Sequence, residues 1–214
     1  MAIYAEQNST PRELIEPGLH VARCYKMIEV GTVQEEMVIN GRKEVKTLKK
    51  VRIGWEFPEL LKVFDEKKGP QPLVIDNEYT LSMGSKANIR KMMESWRGKP
   101  YTDEEAVKVD ITKMLTQPCM INLTHKQATS GKVYEQISSV VQMPKSMVCP
   151  PQVNPTFNLS YDTWNQDMFD GLPDFIKNKM QTSLEYKKMF NNAPDTSAHL
   201  DYAGGDATGD DLPF

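Results

Sequence analysis

The sequence predicts a mainly β protein with α-helical insertions. Segments with the alternation of apolar and polar residues typical of strands occur in a fixed order: three strands, a helical stretch, then two more strands. A five-stranded OB-fold barrel has this order, with a helix between its third and fourth strands. The chain has 214 residues, enough for one core with appendages. A generic α+β sandwich is the alternative that the same order permits.

The first two strands are predicted on either side of a tight turn. Residues 19–33 form an apolar-rich run in which Gly31 marks a bend or bulge. Asn40-Gly41 is a strong signal for a two-residue hairpin. The second strand is predicted at 43–57, and a third at about 73–83, with a turn at or near Asp76-Asn77.

After the third strand, the spacing of apolar residues changes from the alternation of a strand to the period of a helix. Ser85 can cap a helix that Gly98 would end, and its apolar stripe includes Trp96. Thr102-Asp103-Glu104-Glu105 is close to a capping box and predicts a second helix to about Leu115. The last two strands are predicted at Cys119–Lys126 and Lys132–Gln142, joined by the loop 127–131.

The end of the chain is strongly acidic. Residues 195–214 hold five Asp and no Lys or Arg, and this composition predicts a disordered tail. Residues 1–194 then carry 26 bases against 29 − 5 = 24 acids, a weakly basic body. The tip suits a partner pocket with an apolar floor and a basic rim. The predicted partner-binding residues are Asp210, Asp211, Leu212, Pro213 and Phe214.

These signals divide the chain into four predicted parts. They are a flexible lead-in at 1–17, an OB-fold domain at 18–145, a Pro-rich linker and C-terminal helix at 146–194, and the acidic tail at 195–214. The C-terminal helix is predicted at about 172–190.

Two parts of the chain resemble known families. The tip resembles the acidic tip of bacterial single-stranded DNA-binding proteins and the acidic tails ending in Phe of several phage counterparts. Residues 18–145 resemble phage replication-associated proteins built on an OB-fold. The segments that carry the second resemblance are Gly18-Leu-His-Val-Ala-Arg23, Trp55-Glu-Phe-Pro58, Lys86-Ala-Asn-Ile-Arg90, Glu94-Ser-Trp-Arg-Gly98 and Ile137-Ser-Ser-Val140. Together the resemblances imply a phage single-stranded DNA-binding protein.

Binding of single strands without sequence preference needs cations along the phosphates and aromatic rings against the bases. The densest cationic segment, 42–52, carries six bases and one acid. Lys46, Lys50 and Arg52 alternate with the apolar Val51 and Ile53, so we expect these three cations to be exposed and to contact DNA. A solvated edge that uses lysine against aggregation is the alternative.

The loop between the last two barrel strands is a usual nucleic-acid contact in OB-folds. The position of this loop predicts DNA contacts from Lys126, Lys132 and Tyr134. Tyr134 is a candidate for base stacking because it alternates with polar residues along its strand. Trp55 and Phe57 lie on the apolar side of their strand and are predicted core residues.

Three further residues are weaker candidates for DNA contact. Tyr25 and Lys26 point to opposite sides of the first strand, so at most one of them faces the groove. Arg90 can contact phosphate or simply solvate its helix.

Enzymatic sites find little support in the sequence. The three His residues are scattered, and no Cys/His spacing suggests zinc, so neither a cofactor nor a metal is expected. Asp103, Glu104, Glu105 and Asp110 would suit a metal-dependent nuclease but are simpler as acids at a helix N-terminus. Three cysteines without a pairing pattern predict a reduced compartment, and the chain lacks an apolar segment of membrane-spanning length.

The sequence therefore predicts a non-enzymatic protein that coats single-stranded DNA during phage replication or recombination, in the cytoplasm of an infected bacterium. Its tail would recruit replication or repair proteins. Weaker duplex binding and self-association are left open. The first alternative is an OB-fold adaptor that binds other proteins of a replication complex and not DNA, and the second is the nuclease.

Overall fold

A computed structural model describes residues 13–39 and 41–190. The acidic tail and its tip, and most of the predicted lead-in, lie outside these ranges. The described chain is mainly β, with one largely antiparallel sheet of six strands. The strands are β1 (Gly18–Ile39), β2 (Arg42–Val63), β3 (Pro70–Thr80), β4 (Pro118–Gln127), β5 (Val133–Val141) and β6 (Phe157–Leu159).

The strand order is β3-β2-β1-β4-β5, and the short β6 pairs in parallel with β1. Within the described ranges β3 does not pair with β5, so the sheet is not closed. The mainly β prediction is confirmed. The first two strands are longer than predicted, and they pair up to Ile39 and Arg42, which leaves the two-residue connection that Asn40-Gly41 predicted.

The central strand β1 changes its neighbour along one edge. Its residues 18–23 pair with β4 and residues 26–28 pair with β6, while β2 follows the other edge from Arg23 onward. Register shifts interrupt the β1–β2 ladder near Tyr25 and Val30, so β1 is bent twice. The predicted irregularity at Gly31 is confirmed by its φ of +94°, and a Cβ there would lie 2.8 Å from atoms of Ser183 and Glu185.

The helices are α1 (Asn88–Arg97), α2 (Asp103–Ala106), α3 (Gln166–Asp170), α4 (Asp174–Gln181) and α5 (Leu184–Phe190), with a 3₁₀ turn at Ile111–Met114. Helix α1 buries its predicted apolar stripe against one face of the sheet, where Trp55 and Phe57 are fully buried as predicted. The indole Nε1 of Trp96 donates to the carbonyl of Pro118 at 2.9 Å. The first core and this hydrogen bond join α1 to β3, β4 and β5.

The C-terminal segment forms a second core on the opposite face of β1. Ile28, Val30 and Val33 pack there against β6 and the helices α3 and α4. Alternate residues of β1 are therefore buried on both faces of the sheet. The buried members contributed by the C-terminal segment are Leu159, Tyr161, Phe169, Leu172, Ile176 and Met180.

Several predicted boundaries are wrong. Asp76-Asn77 lies inside β3, since neighbouring strand β2 pairs with it throughout. Ala87 rather than Ser85 precedes helix α1 and makes no side-chain cap. The capping box at Thr102 is present but the helix ends at Ala106, and the predicted 172–190 helix is broken at Thr182-Ser183.

Candidate nucleic-acid interface

The predicted DNA-contacting residues fall into three groups. One lies on the face of β1 and β2 opposite the first core, one on the β4–β5 hairpin, and one on helix α1. The groups are Tyr25, Lys26, Lys46, Lys50 and Arg52; Lys126, Lys132 and Tyr134; and Arg90. Along β1, the first group and the β4–β5 hairpin loop lie toward opposite ends, because β4 pairs only with residues 18–23.

Lys26 and Arg52 converge on the carboxylate of Asp76. The Nζ of Lys26 donates to Oδ2 at 2.8 Å, and the Nε of Arg52 donates to Oδ1 at 2.8 Å. Gly54 lies between Lys26 and Asp76 in register, and a Cβ there would come within 2.7 Å of the lysine chain. Glycine at this position thus lets the lysine cross the strand, and both cations are committed to an internal ion pair.

The pKa of Asp76 is below its ordinary value of 3.8. Burial alone would raise this pKa, but the positive charges and hydrogen bonds of Lys26 and Arg52 outweigh burial. A carboxyl group whose pKa is lowered on folding stabilises the folded state at pH values above its ordinary pKa. That stability is lost as pH falls below this value toward the folded pKa.

We therefore expect Asp76→Asn to lower the free energy of unfolding by about 2 kcal/mol at pH 7 and to flatten its dependence on pH below about 4. Urea titrations between pH 7 and 2 would measure both effects. The exposed Asp162→Asn is the matched control and should leave the pH profile unchanged. If Asp76→Asn retained the acid-dependent loss of the unaltered chain, this account of the ion pair would be wrong.

Lys50 is 8% exposed, so the expectation that it is exposed is wrong. Its Nζ lies 2.6 Å from Glu35, and Lys179 of α4 bridges Glu35 and Glu78 at 2.6 and 2.5 Å. Phe175, one turn earlier in α4, lies with its ring centre 5.2 Å from the guanidinium of Arg52. Strand parity does place Lys50 opposite the first core, but α4 covers that face.

The two remaining residues of the first group differ in setting. The prediction that Tyr25 and Lys26 point to opposite sides of β1 is wrong, because the register shift between Cys24 and Lys26 interrupts the alternation of side chains. Tyr25 is half-buried, burial raises the pKa of its hydroxyl, and the Nζ of Lys26 lies 5.7 Å from its ring centre. Lys46 is half-buried on the part of the hairpin toward the turn, where it pairs in register with Glu35. Lys46 makes no ion pair with any residue of the described ranges.

The guanidinium of Arg90 is occupied by hydrogen bonds within the chain. Its guanidinium donates to the carboxylate of Glu94 and to the carbonyls of Met83 and Tyr101, at 2.8–3.0 Å. The side chain is 11% exposed. This arrangement ties the start of α1 to the segments on either side of it, which is a structural role.

The β4–β5 hairpin presents its cations unpaired. Lys126 and Lys132 are exposed and form no ion pair within 13–39 and 41–190. Tyr134 is half-buried and pairs in register with Lys126, so the two side chains project from the same face of the hairpin. The loop is closed by hydrogen bonds between Ala128 and Lys132 and between Gly131 and Ala128. Of the predicted groups, this one has free positive charge beside an accessible ring.

A cleft of about 800 Å³, which the sequence did not predict, lies beside helix α1. Helix α1, the segment from Tyr101 to Pro118 and the residues after β5 line it. Lys108, Lys113 and Lys145 are exposed at its edge. Lys145 lies 32 residues after Lys113 in the sequence, and the three lysines follow no strand or helix periodicity, so no local pattern predicted that they would meet.

Other site types find no support among the described residues. No group of three or more His, Cys, Asp or Glu side chains could hold a metal ion there. Glu105 accepts from the backbone of Thr102 in the capping box, and Asp110 caps the 3₁₀ turn through Thr112. The three cysteines are buried free thiols. None of the helices in this part of the chain is long and apolar enough to span a membrane.

No protein-family model matches the chain, and a search of curated proteins finds no significant match.

Proposed function

We propose that the protein binds single-stranded DNA through its β4–β5 hairpin. The observation that carries the proposal is that one hairpin presents two exposed lysines without ion pairs in the described part of the chain, Lys126 and Lys132, together with the partly exposed Tyr134, which pairs in register with Lys126. Cations that track phosphates and rings that stack on bases are what sequence-tolerant binding of single strands requires. The role would be to coat single strands during phage DNA replication or recombination in an infected bacterial cell.

The strand path supports an OB-type barrel as the scaffold. Its two end strands are β3 and β5, and pairing between them would complete a five-stranded barrel. OB barrels are partly open, so a seam at this place is compatible with the fold. Helix α1 lies between β3 and β4 in the chain and packs on the core, as the helix of an OB barrel does.

In this proposal, the cations predicted on the face of β1 and β2 contribute less to DNA binding than the hairpin does. Lys26, Lys50 and Arg52 are neutralised by internal carboxylates, and α4 packs beside Lys50 and Arg52. These cations could contact phosphate only if their ion pairs broke. The free energy lost with the ion pairs would offset most of the free energy gained from the phosphate contacts. The tail, as a recruiting segment for replication or repair proteins, remains part of the proposal.

Replacing both hairpin lysines is the direct test. We expect Lys126→Ala with Lys132→Ala to weaken binding of labelled oligo-dT about 20-fold near 0.1 M salt. The log–log salt slope should become less steep by about 1.4, since each lost phosphate contact on a single strand contributes about 0.7. Fluorescence anisotropy across a salt series, with a matched duplex for comparison, would measure both quantities.

The matched control removes the same number of positive charges at another place on the surface. Lys67→Ala with Lys68→Ala removes two exposed lysines from the turn between β2 and β3 and should leave the slope nearly unchanged. Tyr134→Leu should weaken binding while keeping the salt slope, because stacking does not release counterions. Equal losses in both lysine pairs would show diffuse attraction rather than a hairpin site.

One observation favours the alternative, an adaptor that binds proteins. The face of β1 and β2 opposite the first core, a natural place for a strand of DNA, is covered by α4 and neutralised by carboxylates. An adaptor would show no affinity for oligo-dT even at low salt. That result would remove the DNA-binding proposal and leave the adaptor as the working function.

A further inference from the structure

The cleft beside helix α1 combines an apolar floor with a basic rim. Its floor is rich in methionine: Met93 is buried, Met114 and Met143 are half-buried, and Met147 is 38% exposed. The indole of Trp96 lies among them. Methionine is flexible and polarizable, and it is used at surfaces that accept apolar peptide side chains, aromatic ones in particular.

The rim is positively charged overall. Four bases and two acids line the cleft, a net charge of 4 − 2 = +2. Arg97 is paired with Glu105 at 3.3 Å, and Asp110 is bound to Thr112. Lys108, Lys113 and Lys145 are exposed and make no ion pair with another residue of the described part of the chain. The cleft therefore has spare positive charge around an apolar floor.

The chain itself carries a segment of complementary chemistry. Residues 205–214 include three Asp, no Lys or Arg, and the apolar run Leu212-Pro213-Phe214 directly after Asp210-Asp211. An apolar run next to two carboxylates matches a floor that accepts an aromatic ring and a rim with free ammonium groups.

The chain is also long enough for contact within one molecule. Residues 191–209 separate α5 from Asp210 and can span at most about 65 Å. A compact chain of about 190 residues has a radius of gyration of roughly 16 Å. The spacer can therefore reach any part of the same molecule.

We infer that this cleft is a docking site for an acidic and apolar peptide, and that its occupant is the tip of the same chain, residues 210–214. Phe214 enters the methionine-lined floor, and Asp210 and Asp211 meet Lys113 and Lys145. A partner that takes the tip must then compete with the cleft. This inference does not depend on DNA binding.

A labelled peptide of residues 205–214 tests the inference on the full chain. A tip variant, Asp210→Asn with Asp211→Asn and Phe214→Ala, frees the cleft and should bind the peptide. The unaltered chain should bind it about tenfold more weakly, or weaker still. A tethered tip has an effective concentration near 1 mM, which gives a tenfold effect for a Kd of about 100 μM.

Charge reversal then locates the site. Adding Lys113→Glu and Lys145→Glu to the tip variant should abolish peptide binding, whereas Lys67→Glu with Lys68→Glu should leave it unchanged. All four lysines are exposed, so these changes spare the core. Three results would overturn the inference: no peptide binding by the tip variant, binding that survives the reversal at Lys113 and Lys145, or equal binding by the tip variant and the unaltered chain. None of them bears on oligo-dT affinity.

Discussion

Glu56→Ala is expected to lower the free energy of unfolding by about 4 kcal/mol. The carboxylate of Glu56 is fully buried on β2, and it accepts three hydrogen bonds from the C-terminal segment. The donors are the backbone N–H of Val153, the backbone N–H of Asn154 and the Nδ2 of Asn154, at 2.7–2.8 Å. Alanine leaves all three donors without this acceptor in a partly buried site. Urea denaturation would measure the loss.

The matched control is Glu59→Ala, three residues along the same strand and exposed, which should change stability by less than about 0.5 kcal/mol. Glu56→Gln keeps one carbonyl oxygen and should fall between these two variants. Hydrogen exchange at Val153 and Asn154 gives a local readout, because their amides should lose protection in Glu56→Ala. A loss below about 1 kcal/mol would show that the Glu56 contacts do not anchor the segment.

Met180→Ala is expected to destabilise the protein by about 3 kcal/mol through the second core. Met180 on α4 is fully buried among side chains of β1, β6 and α3. Truncation leaves a cavity between the sheet and the C-terminal helices, and the loss includes the packing of its lining. Unfolding should remain a single transition, because β1 contributes side chains to both cores.

Met189→Ala is a control of the same residue type, since Met189 on α5 is 40% exposed. Tryptophan fluorescence reports on both cores, because Trp55 and Trp96 lie in the first core and Trp164 packs against the second, whereas far-UV circular dichroism reports on backbone secondary structure. Coincident transitions are expected by both probes. A separate early transition in Met180→Ala would show that the C-terminal segment folds independently.

The sequence was sufficient where structure depends on local periodicity. The alternation of Val51, Ile53, Trp55 and Phe57 predicted which face of β2 lies in the first core. The spacing of the apolar stripe predicted the buried side of α1. The β4–β5 hairpin followed from the same alternation and from its loop composition.

The sequence was insufficient where a surface is covered by residues far along the chain. Parity placed Lys50 and Arg52 opposite the first core, but it could not indicate that α4 packs on that face. The pairing of Lys179 with Glu35 and Glu78 joins residues more than 100 positions apart. Fully buried Glu56 carried no signal, since its donors come from the segment after β5.

The sequence by itself determined the strand and helix types, the faces of β2 and α1 that are apolar, and the chemistry of the acidic tip. These depend on residue type and on spacings of two to four residues, which a chain carries locally. Only the tertiary structure decided which cations remain free and where a basic cleft forms. Both are set by long-range packing, because the neutralising carboxylates and the lysines of the cleft come from separate segments that meet only in the fold.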